Sequence, residues 1–175
     1  MPYLIALITA LGAATFWYWR LKNAAEMASE VADMAQTVLG AARRFGFRRR
    51  ANTHPVDSIE DGKLAIGGLA TAFLELAGVP TAEERRALIV ALQSELELSL
   101  ADAEEMAVLG HWFVSECGGA LMAVNRLARK LRRLSGAEAL PQAMAVIDRV
   151  ARAGGGLNDH QREALTEIKT AFGLR

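Results

Sequence analysis

The side chains able to serve as nucleophile or base are few: one cysteine, Cys117, and three histidines, His54, His111 and His160, each in a different segment. His111 and Cys117 stand six residues apart, which turns roughly 240° around a helix, so they do not share a face. Nucleophilic catalysis needs thiol and base within hydrogen-bond reach, and a lone cysteine more often fills core space. No catalytic residue and no enzymatic activity are therefore expected. Gly154-Gly155-Gly156 is not part of a phosphate-loop signature and reads as a turn between helices. An anion at the helix start that follows, near Asn158, would be opposed by Asp159.

Charged clusters offer binding chemistry instead. Arg43, Arg44, Phe45, Phe47, Arg48, Arg49 and Arg50 interleave five guanidiniums with two aromatics. Such a run suits anionic lipid headgroups, each base contributing about 1 kcal/mol near the surface while the rings enter the interface. A plain solvated linker is the alternative, and nucleic acid is the least favoured occupant. A second cluster, Arg126, Arg129, Lys130, Arg132 and Arg133, is a candidate docking surface for a protein partner, set against a simple solvated helix face. Glu95, Glu97, Asp102, Glu104 and Glu105 crowd the corner before it.

Three successive elements must position these groups. Residues 3–19 carry no charge and close on Phe16, Trp17, Tyr18 and Trp19, after which Arg20 and Lys22 follow at once. Seventeen helical residues rise roughly 25 Å against a hydrocarbon core of about 30 Å, so residues 1–22 are expected to form a short membrane anchor. The aromatics, Arg20 and Lys22 would then lie at the interface. A cleaved signal peptide would begin with bases, and none precedes Arg20. Bases follow the span and only Met1 and Pro2 precede it, which predicts an outside N-terminus and a cytoplasmic body at a bacterial-type inner membrane. The single thiol fits a reducing compartment.

Residues 23–58 form the connector and linker. Residues 20–50 hold seven bases and three acids, against 13 bases and 17 acids over 51–175, so an anionic partner would meet the connector first. Met27, Val31, Met34, Val38, Ala41 and Phe45 recur at helical spacing. Their stripe either pairs with a second copy as a homodimer or docks on the chain's own domain or on lipid. Residues 46–58, with Gly46, Asn52, Pro55 and Ser58, read as a flexible joint.

Residues 59–175 read as an all-α bundle of about six helices with no strand. Helices are expected near 60–77, from Thr81 through Leu98, from Ser99 to Gly118, and near 120–134, 138–152 and 158–172. Thr81 with Glu84 spells a capping box, and Ser99 with Asp102 a second helix start. Thr81 to Leu88 and Asn158 to Leu165 align without a gap at an offset of 77 residues, which suggests two similar helical hairpins from an internal duplication, the alternative being the likeness that any two capped helices share.

The stretch from Ala145 to Leu165, closing on Phe172-Gly173-Leu174, resembles the C-terminal half of the TerB (tellurite-resistance B) family, which includes the N-terminal domain of the membrane-anchored DjlA co-chaperones. The resemblance covers about residues 59–174, and the order of anchor, basic connector and bundle is similar too. It implies a helical interaction or scaffold module linked to envelope or metal (tellurite-type) stress. The family's proposed divalent-cation site relies on turn acids, and this chain departs there, with Gly154 and Gln161 in place of acids and Ala77-Gly78-Val79-Pro80 lacking one. No bound metal and no cofactor are therefore expected. His54-Pro55-Val56-Asp57 interrupts the His-Pro-Asp of a J-domain, so stimulation of a chaperone ATPase is not expected. The alternative to a free-standing module is a small single-span accessory subunit of a larger membrane complex.

Overall fold

Local accounting of backbone hydrogen bonds sets the helix ends of this chain, whose computed structural model describes Gly40, Phe45, Phe47, Arg48 and residues 52–174. The expected anchor, with Phe16, Trp17, Tyr18, Trp19, Arg20 and Lys22, lies outside the described residues, as do Arg43, Arg44, Arg49 and Arg50. Six α-helices follow a short 3-10 turn at Pro55–Ser58: α1 Gly62–Glu75, α2 Ala82–Leu96, α3 Leu100–Glu116, α4 Ala120–Ser135, α5 Ala139–Ala153 and α6 Asp159–Ala171. The described residues contain no strand, and the helices pack as one bundle.

Thr81 caps α2 as its sequence predicts: its hydroxyl accepts from the Glu84 amide at 3.2 Å, and Glu84 Oε2 accepts from the Thr81 amide at 2.8 Å. The helix stops before Leu98, because Glu97 takes a left-handed φ of 54° and the Leu98 amide turns back to Gln93 C=O at 3.2 Å. Lys63 Nζ donates to Leu96 C=O at 2.8 Å, so the start of α1 satisfies the end of α2. Ser99 caps α3 through the Asp102 amide. Gly118 and Gly119, at φ 78° and 137°, make the turn into α4 that a Cβ would resist.

The first helix is the centre of the bundle. Every residue from Leu64 to Leu74 is buried, and α1 touches α2, α3, α4 and α5, so its sequence carries no polar face. Its glycines work against helix propensity, at about 1 kcal/mol each. Packing explains them: a Cβ on Gly67 would lie 2.3 Å from Met106 Sδ, and one on Gly110 of α3 would lie 2.3 Å from Thr71 Oγ1. The α1 and α3 backbones thus approach closely at two successive turns.

The body begins earlier than Ile59. Val56, within the segment expected as a flexible joint, and Ile59, just after it, are fully buried, and the 3-10 turn that holds Val56 packs on α3 and α4. Two apolar residues three apart lie on one side of such a turn, so residues 54–59 act as a strap rather than a loose link. Among the described residues no single helix is long and apolar enough to cross a membrane.

Candidate functional site

The strap brings one carboxylate to a basic helix face. On α4, Arg126, Arg129, Lys130 and Arg133 fall within an arc of roughly 100°, whereas Arg132 points elsewhere. Asp57 Oδ2 accepts from Arg126, Asp57 Oδ1 accepts from Arg133 Nη2 at 3.1 Å, and the Asp57 carbonyl accepts from Lys130 Nζ at 2.8 Å. The Arg126 hydrogen bond holds the Asp57 carboxyl below its usual range despite its partial burial. Beside this cluster runs an open groove of about 410 Å³, walled by Asp57, Cys117, Met122, Asn125 and the three arginines.

The predicted docking residues therefore have distinct duties. Arg126, Lys130 and Arg133 clamp the strap, while Arg132 Nη1 donates to Ala171 C=O at 3.0 Å and satisfies the end of α6. Arg129 differs: its Nε donates to Asn125 C=O of its own helix at 3.2 Å, and it makes no ion pair among the described residues. Arg126 Nε has no acceptor among the described residues, so this guanidinium is not saturated either. Asn125 is held by Glu167 Oε2 at 2.6 Å, which fixes the groove floor to α6. At the head of the same helix Leu121 and Met122 are 45% and 64% exposed, unusually open for apolar side chains next to arginines.

Of the connector's candidate lipid residues, Phe45 and Phe47 face the bundle. Both pack against its core, and Phe47 stands edge-on to Trp112 and Phe113 with ring centroids 5.7 and 5.5 Å away. Arg48 is exposed. His54 Nδ1 accepts from the Val56 amide at 3.2 Å and its Nε2–H donates to Glu116 C=O at 3.1 Å, tying the strap to the end of α3. About one and a half turns of α3 separate Trp112 from Cys117, so the connector reaches the body close to the groove. Burial pushes the Cys117 thiol up, which favours the protonated form rather than a nucleophile. His111 lies on another face with Glu75 Oε1 at 2.8 Å, and His160 is exposed in the first turn of α6.

The second capping box carries a different load from the first. Asn158 Oδ1 accepts from the Gln161 amide at 2.8 Å and Gln161 Oε1 from the Asn158 amide at 3.2 Å. Gln161 is only 4% exposed, and its Nε2 donates to Phe73 C=O at 3.3 Å while Asn158 Nδ2 donates to Leu76 C=O at 3.3 Å. An amide can accept from one backbone group and donate to another; a carboxylate cannot. The same geometry tests the cation implied by the resemblance. A Cβ on Gly154 would lie 3.1 Å from Glu84 Oε1, so the two motif regions do meet, but Glu84 Oε2 is taken by the Thr81 amide and hydroxyl and Gln161 points a donor at a carbonyl. Hard cations need several oxygens, and this donor set does not fit one. Among the described residues no three His, Cys, Asp or Glu side chains gather as a metal site. No protein-family profile, no curated protein and no solved structure matches the chain.

Sequence reasoning missed Asp57, Cys117, Met122 and Asn125 as parts of one site. A signal was available for part of it: Met122, Arg126, Arg129 and Arg133 repeat at four, three and four residues, the spacing of a single helix face. Nothing local to Asp57 announces that it meets a helix 69 residues away.

Proposed function

We propose that this chain is a bilayer-tethered, non-catalytic interaction module with a TerB-like helical body on the cytoplasmic side, working through the arginine groove of α4. The observation that carries this reading is Arg129 with the exposed Leu121 and Met122, beside the point where the connector reaches the body. The uncharged residues 3–19 and the bases after them support the tether and its orientation. The link to envelope or metal stress rests on the resemblance alone. A fixed groove built on a helix and pinned by Asp57, Asn125 and His54 suits recognition, because its side chains are oriented before any partner arrives.

Alkaline extraction of membranes tests the tether, and protease added from either side tests orientation. Retention in the membrane, with the body cut only from the cytoplasmic face, is the expected result; release by alkali or cutting from outside overturns it. Mild-detergent purification of the full chain separates the module from an accessory subunit, since a stoichiometric membrane complex would favour the subunit.

A further inference from the structure

We infer that the exposed face of α4 is a second membrane contact, with the groove around Arg129 taking the phosphate of an anionic phospholipid and Met122 entering the interface. The inference rests on the tethered reading above and names the ligand of that same site. Surface-seeking elements join bases to apolar side chains on one edge, so that headgroup attraction and hydrocarbon burial act together. Met122, Arg126, Arg129 and Arg133 form one stripe, and Met122, more than half exposed, heads it. Charge complementarity points to a phosphate: of the three guanidiniums lining the groove, Arg126 and Arg133 share the Asp57 carboxylate, while Arg129 makes no ion pair among the described residues and Arg126 Nε has no acceptor there. Arginine forks match phosphate oxygens well.

The position of the groove supports the same ligand. Phe47 lies on Trp112 and Phe113, and His54 reaches Glu116 C=O, so the connector meets the body within about two turns of Cys117 in the groove wall. A chain anchored by residues 3–19 would keep its body at high effective concentration near the bilayer, so a weak site is enough. Of the acids at this edge, Asp57 is occupied by Arg126 and Arg133 and Glu167 by Asn125, while Glu116 stands beside Cys117.

The test uses the full chain in vesicles, with Cys117→Ser and Met122→Cys to carry one nitroxide label, and a second preparation labelled at Val90→Cys on α2. With anionic phospholipid present, the label at 122 should gain collisions with dissolved oxygen and lose those with a water-soluble nickel complex; in purely zwitterionic vesicles it should stay aqueous. The label at 90 should stay aqueous in both. Arg129→Gln removes no ion pair and should lower the docked-to-free ratio about fivefold, the effect of one base at the surface. An aqueous label at 122 in anionic vesicles overturns the proposal, as does docking indifferent to lipid charge or to Arg129. Protection at 122 that appears only when an acidic protein is added assigns the groove to a protein instead. Alkaline extraction of the same vesicles reports on the tether separately, because a chain stripped by alkali yet docked in a salt-sensitive way retains the groove contact and loses the anchor.

Discussion

The two capping boxes of this bundle share a sequence pattern and differ in what surrounds them. Thr81 and Glu84 start α2 at the surface, where Glu84 Oε2 also accepts from the Thr81 hydroxyl at 2.8 Å and nothing else is asked of it. Asn158 and Gln161 start α6 against the end of α1, and their amides stitch two helices together through Phe73 and Leu76. A pattern that only fixes a helix start at α2 thus also serves as a tertiary joint at α6. Gln161 rather than a Glu suits that joint, since a buried carboxylate facing a carbonyl would be desolvated and unpaired.

The sharpest way to break the contrast is Gln161→Glu. It should cost about 3 kcal/mol at neutral pH and lower Tm by roughly 10 °C, measured by thermal unfolding of the full chain in detergent. The deficit should shrink on acidification, because the buried acid becomes neutral; a variant as stable as the parent at pH 7 removes the argument. Asn158→Ala should follow at about 2 kcal/mol, since cap and interhelical bond go together. Thr81→Ala should cost about 1 kcal/mol, the ordinary loss of a cap.

The smallest effect is a difference in pH dependence. Hydrogen bonding to the Thr81 amide, and then to its hydroxyl, holds the Glu84 carboxyl below its usual range. Its folded pKa is depressed, so its contribution is complete above the unfolded value of about 4.3 and is lost as pH falls through the folded value. Protection of the amides at the start of α2, measured against their intrinsic exchange, should therefore weaken as pH falls through the folded Glu84 titration, while the Gln161 box at α6 does not titrate. Equal acid sensitivity at both starts would dissolve the comparison. Glu84→Gln should remove the α2 response and change stability at neutral pH by only a few tenths of a kcal/mol.

Legibility followed the same divide. Thr81, Ser99, Asn158 and the glycines at 118 and 119 announce helix ends because an end exposes backbone groups that the next three or four residues must satisfy. Six helices were readable in this way, each to within about two residues of its observed limits. The strap was not, since Pro55 and Asn52 look like a joint until Val56 and Ile59 are seen inside the core. The candidate site was half visible: the basic residues of α4 stood out, but their division into Arg129, the Asp57 clamp and the α6 cap at Arg132 did not.

By itself the sequence determined the helical class, the order of the helices and the chemistry of their ends, because these depend on neighbours within a turn or two. Only the tertiary structure decided that α1 is buried on all sides, that Gln161 bridges two helices, and that Asp57 takes up two arginines of α4. Periodicity tells which side chains share a face, and it carries no information on which distant residue will be laid against that face.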